Sequence, residues 1–253
     1  FKSCDINSLK ALFDQYPGQI ACVITEPEKN MCSSGCTCGP SGAFLKQAIE
    51  LTHTNGAHFI LDEMVTGFKT GFPGSISKYA IEPDMATWGK GIANGFSFCA
   101  ITGKKEVMDL GGIKRKGEEK VFLISTTHGG ETHAMAASIA TIKEFKKHNV
   151  VEYINNFGTR VIEICQQLVS KHNLEPYIQV IPSKWMPAFA FKNADGEACA
   201  GLRTLVMQEM IKRGVLFQGV FIISYSHTDD DLFYFCKAFE EVLKLYKLAV
   251  AEG

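Results

Sequence analysis

Asp62 and Lys90 are the residues of this chain whose types, neighbours and spacing could do chemistry together. They stand 28 residues apart in AHFILDEMVTGFKTGFPGSISKYAIEPDMATWGK, the stretch from Ala57 to Lys90. Phe59-Ile60-Leu61 is a short apolar run that ends on Asp62 and Glu63. Pro83-Asp84 opens a second short run that ends on Gly89-Lys90-Gly91. Apolar runs of this length, bounded by turn residues, predict buried strands of a parallel sheet. An acid at the carboxyl end of such a strand stands where open α/β sheets bind their ligands. A lysine amine whose pKa is lowered by burial attacks aldehydes to give a Schiff base. A carboxylate facing a pyridine nitrogen keeps that nitrogen protonated, so that the ring accepts electrons from a carbanion. Taken singly, Asp62 could equally cap a helix or pair with a surface lysine, and Lys90 could be solvated. The combination is what points into one crevice.

The elements that must position these two residues follow from periodicity. Apolar residues at Ile6, Leu9, Leu12 and Phe13 predict a helix over 5–16, closed by Pro17-Gly18. A strand is expected from Ile20 to Thr25, then a Ser/Gly/Cys loop over 28–40. A helix carrying Phe44, Leu45, Ala48 and Ile49 on one face leads through Asn55-Gly56 to the strand at 57–61. Strand, helix, strand implies a right-handed parallel crossover. Further strands are expected at 97–102 and 121–124, a short helix at 104–110, and a charged loop over 111–120. Long helices at 134–145 and 151–172 come next. After Glu175-Pro176 the pattern changes to strands at 177–181, 188–191 and 215–223, a helix at 200–212 and a final helix from Asp229 to about Ala251. Parallel α/β followed by α+β predicts two domains, residues 1–148 and 149–253.

A lysine and an acid so placed are what a pyridoxal phosphate enzyme asks of its protein. The run FILDEMVTGFK…KYAIEPDMATWGKGIANGF resembles the signature of class III pyridoxal-phosphate aminotransferases of fold type I. Within that class it is most similar to glutamate-1-semialdehyde aminomutase and to aminotransferases of nucleotide-sugar and polysaccharide pathways. The resemblance implies an α/β fold, a mostly parallel sheet with flanking helices, in which residues 1–148 are the C-terminal part of the large cofactor-binding domain. Residues 149–253 would be a smaller α+β domain. It implies pyridoxal 5'-phosphate as cofactor and Lys90 as the residue that forms the lysine aldimine. Asp62 would pair with the pyridinium nitrogen, and Met64 would stand against the ring face. Thr127 would reach the cofactor phosphate of a neighbouring subunit, which implies a homodimer, and Asn30 would approach the phenolic oxygen. The expected reaction is amino transfer between a small-molecule donor and acceptor. An intramolecular aminomutase uses the same lysine and acid and remains the alternative. A non-catalytic relative that lacks the phosphate loop is a third reading, since the family's Ser/Gly-rich phosphate loop does not occur in the 253 residues. The chain opens at Phe1 on a helix-start pattern, from which further residues upstream are expected.

Composition excludes several other classes. Formal net charge is −1, which does not suggest a polyanion partner, so neither nucleic acid nor membrane is expected. No apolar run approaches the length needed to span a bilayer. Cys4, Cys22, Cys99, Cys165, Cys199 and Cys236 occur singly in apolar or helical surroundings, as reduced thiols of a cytoplasmic protein do. Cys32, Cys36 and Cys38 have the density of a metal site but no fourth ligand at zinc spacing, so no metal is expected. His128 and His133 are five apart and do not share a helix face, and His128 is a candidate for the substrate entrance.

Overall fold

The computed structural model of the chain describes residues 1–27, 42–111, 117, 119 and 129–252. They form two compact units, Phe1–Val151 and Glu152–Gly253. In the first, Asp5 starts helix α1 (Ile6–Gln15) by accepting the N–H groups of Asn7 and Ser8, which lack partners inside the helix. Strand β1 (Cys22–Thr25), helix α2 (Ala43–Thr54), strand β2 (His58–Glu63), helix α3 (Ser75–Tyr79) and strand β3 (Met85–Trp88) follow. The three strands pair in parallel in chain order. Strand β4 (Ala100–Gly103) then adds to β3 antiparallel, starting three residues later than expected. Only residues 89–99 separate β4 from β3, too few for the helical crossover that a parallel return requires. Helices α4 (Lys105–Met108) and α5 (Thr132–Lys147) complete the unit. The expected strand at 121–124 and the loop over 28–40 fall outside the described residues.

Alternation along the strands gives the sheet two unlike faces. Val23, Phe59, Leu61, Ala86 and Trp88 are buried together with Leu9 and Phe13 of α1 and Phe44, Leu45 and Ala48 of α2. The opposite face is open, with Ile24 53% and Ile101 59% exposed. Parallel strands are ordinarily covered on both faces. Asp62 and Thr87 alternate onto this open face.

At the amino ends of the strands, Asp84 clips the unit together. Its carboxylate is buried and accepts from Lys104 Nζ at 2.7 Å, Phe59 N–H at 2.7 Å and His53 Nε2 at 2.8 Å. One side chain thereby ties the entry to β3 to α2, to β2 and to the residue after β4. Burial alone would raise the Asp84 pKa, but these donors together bring it down to about 2. A carboxylate whose folded pKa is depressed stabilises the fold above its unfolded value and loses that contribution as pH falls through the folded one. The shift is worth about 2 kcal/mol. Acid unfolding should therefore steepen between about pH 4 and pH 2, and Asp84→Asn should remove that component while costing at least as much stability at neutral pH. Denaturant melts at several pH values would read both.

The second unit contains most of helix α6 (Val150–Lys171), the antiparallel hairpin β5 (Ile178–Ile181) and β6 (Ala188–Phe191), and helices α7 (Ala200–Lys212) and α8 (Asp229–Glu252). The strand expected at 215–223 does not form as an element. Its backbone is tied to the hairpin by an isolated bridge between Ala188 and Val220 and by the Phe221 N–H bond to Pro187 O at 2.8 Å. Thr228 and Asp231 cap α8 reciprocally, each bonding the other's backbone N–H. Asp229, Asp230 and Asp231 place negative charge at the positive end of the helix. Phe189, Phe217, Phe235 and Phe239 form an aromatic core, in which Phe235 stacks on Phe239 and the other pairs meet edge to face. Buried Tyr246 of α8 donates to Lys192 O at 2.7 Å and accepts the Lys192 N–H at 3.0 Å, which joins α8 to the end of β6. Helix α6 passes so close to the backbone at Lys184 that a Cβ on Gly158 would lie 1.6 Å from the Lys184 carbonyl oxygen. Alanine would gain roughly 1 kcal/mol in helix propensity. The backbone clash outweighs that, so Gly158→Ala should lose about 3 kcal/mol in a urea titration.

Candidate active site

The register of β2 on β3 sets Asp62 opposite Thr87. Thr87 Oγ1 donates to Asp62 Oδ1 at 3.0 Å, and the Met64 N–H donates to the same oxygen at 3.0 Å. Both donors are neutral, so the carboxylate is oriented without being neutralised. No described residue bonds its Oδ2, which leaves that oxygen free to accept from a ligand.

The neighbouring strand β3 ends at Trp88, Gly89 is extended, and Lys90 opens a 3-10 turn over Lys90–Ile92. Lys90 has a φ of 49°, in the left-handed region. That conformation costs a side-chain-bearing residue about 1–2 kcal/mol, and such strain gathers at functional sites. The Lys90 side chain is exposed, and no hydrogen bond or ion pair to a described residue occupies its amine. The Met64 side chain lies against Gly89, where a Cβ would come within 2.4 Å of Met64 Cε and 2.8 Å of its sulfur. Glycine at 89 is therefore what lets an apolar thioether sit beside the lysine. Asp62, Met64 and Lys90 thus come to the same end of the sheet, the carboxyl end of two adjacent parallel strands. Thr127, Asn30, His128 and the three clustered cysteines lie outside the described residues. His133 stands in α5 with its ring 5.7 Å from that of Phe96.

Three residues that the sequence did not single out for a role complete the surroundings. Thr87, which orients Asp62, was legible only once the strand register was known. Lys69 donates to Val65 O at 2.8 Å, and burial, then the nearby Lys90 ammonium, lower its pKa. Glu63 faces away from the crevice and is fully buried. It accepts from Thr66 Oγ1 at 2.5 Å and from the Ile76 N–H at 3.2 Å, which pins both ends of the 64–76 loop that carries Met64 and Lys69. Gly74 packs so tightly on it that a Cβ would lie 2.7 Å from the carboxyl carbon. Burial pushes the Glu63 pKa up, against the donors that lower it. Among the described residues no group of three or more His, Cys, Asp or Glu could hold a metal ion, and no helix is long and apolar enough to cross a membrane. Cys4 is disulfide-bonded, where the sequence suggested a lone reduced thiol, whereas Cys22, Cys99, Cys165, Cys199 and Cys236 are free.

Residues 2–242 match the sequence profile of the aminotransferase class-III family. The chain belongs to that family. This class III chain is 27% identical over 241 residues to the 3-aminobutyryl-CoA aminotransferase of Cloacimonas acidaminovorans, covering 94% of itself and 56% of that protein. It is 28% identical over 254 residues to the glutamate-1-semialdehyde 2,1-aminomutase of Caldivirga maquilingensis, covering 96% and 57%. The class III chain spans little more than half the length of these curated relatives. Its fold matches that of the FumI protein of Sphingopyxis sp. MTA144, solved as the PLP internal aldimine form, with a TM-score of 0.83 at 21% identity over 99% of this chain and 58% of that one. It also matches the β-phenylalanine aminotransferase of Variovorax paradoxus, with a TM-score of 0.79 at 22% identity over 98% and 57%. The expected α/β fold with a mostly parallel sheet is the fold of these transaminases.

An acid whose pKa is raised on folding favours the fold below its unfolded value of 4.5, and that contribution is lost as pH rises through the folded one. Glu63→Gln, which keeps an acceptor for Ile76, should therefore fold and show less loss of stability than the parent as pH rises above about 4.5. Thermal melts of the two proteins across pH would show the difference, and Glu63→Ala should lose about 2 kcal/mol below about pH 4.5 by leaving the Ile76 donor unpaired.

Proposed function

We propose that the protein to which this chain belongs is an aminotransferase that works with pyridoxal 5'-phosphate. The observation that carries this reading is the strained, unengaged Lys90 at one strand end beside a Thr87-oriented Asp62 at the next. The donor set fits the cofactor: a carboxylate with one free oxygen, an uncommitted amine, and a thioether to lie against a ring. When bound, pyridoxal phosphate supplies an aldehyde for amines and an electron-withdrawing ring. Asp62 Oδ2 holds a proton on the ring nitrogen, and Thr87 keeps the carboxylate aimed there. Lys90 Nζ would hold the cofactor through its aldehyde, and its amine would move the proton at the substrate's Cα. Met64 and Gly89 shape the apolar side of the pocket and orient the ring.

The finer readings rest on the same resemblance. Thr127 binds the phosphate of a partner subunit's cofactor in a homodimer, and Asn30 approaches the phenolic oxygen. The first unit is the C-terminal part of the cofactor-binding domain and the second the small α+β domain. The protein acts on a small amino donor and acceptor in the cytoplasm, a location that the free thiols at Cys22, Cys99, Cys165, Cys199 and Cys236 support and the disulfide at Cys4 does not. The relative named as an aminomutase supports intramolecular amino transfer as the second reading, on the same residues.

Borohydride reduction of the protein as the cell makes it, loaded with pyridoxal phosphate, followed by peptide mapping, should place the pyridoxyl group on Lys90. Its appearance on Lys69 or on no lysine would overturn the reading in favour of a different site or a non-catalytic relative. Lys90→Ala should lower kcat by about 10³-fold or more, and Asp62→Asn by about 10²-fold. Label from an isotopically marked amino donor should end in a second molecule, whereas an unlabelled isomerised product would establish the mutase.

A further inference from the structure

We propose that the cavity between the start of α8 and the 214–227 segment binds a protonated aromatic amine, with Asp231 on the ammonium and phenylalanines on the ring. The inference concerns the second unit alone and does not rest on the transaminase reading. The cavity holds about 500 Å³, a volume typical of small-molecule sites, which are apolar hollows with a few placed polar groups. Phe217 and Phe235, both buried, form its floor. Phe221 meets Phe235 edge-on at 4.7 Å and the His227 ring at 5.2 Å. Leu216 and Ile222, 83% and 57% exposed, stand at the rim.

The walls are fixed without a ligand. Phe221 N–H bonds Pro187 O at 2.8 Å, and Gln218 O accepts from Arg203 Nη2 at 3.0 Å. Tyr234 Oη donates to Arg213 O at 2.8 Å and packs so closely on Gly214 that a Cβ there would lie 2.7 Å from it. Ser224 N–H donates to His227 Nδ1 at 3.1 Å, and the His227 ring stacks on Phe157 at 5.8 Å. A hollow held in this way loses little freedom when it is filled.

Charge decides which ligand fits. A ring nitrogen that accepts an N–H bears no proton, so the His227 imidazole is neutral, and burial acts in the same direction by lowering its pKa. Asp231 is then the one formal charge on the lining. Its Oδ2 takes both the N–H and the hydroxyl of Thr228, at 2.7 Å and 2.8 Å, whereas no described residue bonds its Oδ1. An open carboxylate oxygen beside aromatic rings attracts an ammonium, through a charge-assisted hydrogen bond and the negative ring faces, and repels an anion. The apolar floor requires the rest of the ligand to be a ring system.

Calorimetric titration of the full protein with tryptamine, tryptophol and indole-3-acetate would test this, since the three share an indole and end in an ammonium, a hydroxyl and a carboxylate. Prior borohydride reduction removes any aldehyde with which the amine could react. Tryptamine should bind the reduced protein about tenfold more tightly than tryptophol does, with an affinity that falls as salt rises, and indole-3-acetate should not bind. Asp231→Asn, which keeps an oxygen for Thr228, should bring tryptamine down to the affinity of tryptophol. Ile222→Lys, at an exposed position, should also weaken tryptamine, by placing a like charge at the rim. Far-UV circular dichroism would report that both variants fold. No binding of tryptamine, equal affinity for amine and alcohol, or tighter binding of the carboxylate overturns the proposal. So does binding that is lost on borohydride reduction or unchanged in Asp231→Asn.

Discussion

The parallel pairing of β2 with β3, with Asp62 opposite Thr87, is the constraint on which the rest of the site depends. Parallel pairing makes both strands end at the same edge of the sheet. The residues just past those ends, Met64 on one side and Gly89-Lys90 on the other, are thereby forced together. The pairing also gives Asp62 its hydroxyl donor, so the carboxylate is aimed by the sheet itself rather than by a loop. Antiparallel addition of β4 does not disturb this edge, because the short 89–99 connection carries the lysine turn before the chain reverses.

Two buried acids hold this arrangement from opposite ends, and they do so by opposite electrostatics. Asp84, at the amino ends, has a lysine and a histidine as well as a backbone N–H, and stays ionised. Glu63, at the carboxyl ends, has only neutral donors, and burial raises its pKa. Net desolvation decides the difference: an ammonium within hydrogen-bond distance offsets it, and hydroxyl and amide donors alone do not. The pole with the charged clip fixes the sheet, and the pole with the neutral donors holds the loop that carries Met64 and Lys69.

The left-handed Lys90 shows the same economy of position. Its strain is sustained because extended Gly89 precedes it and Met64 fills the space that a larger residue at 89 would need. In the second unit, close approach is again set by a single glycine: Gly158 lets α6 touch the backbone at Lys184, and Tyr246 ties α8 to the hairpin. Contacts between backbones are stiff, so such points define where helices lie better than apolar side chains do.

By itself the sequence determined the local elements and the identity of the reacting groups. Helical spacing starting at Asp5 and Asp229 marked α1 and α8, and the apolar runs ending on Asp62 and Gly89-Lys90 marked the two strand ends, because these signals are carried by neighbours a few residues apart. The family signature lay in the same stretch. What only tertiary structure decided were relations between distant segments. The reversal of β4, the absence of a strand over 215–223, the Thr87 bond to Asp62, the anchoring of a loop by Glu63 and the clip at Asp84 depend on which strands become neighbours and in what register. Pairing energy is spread over many weak backbone contacts, and no single residue type announces its partner. The chemistry of the site could be read from Asp62 and Lys90, but its aim could not.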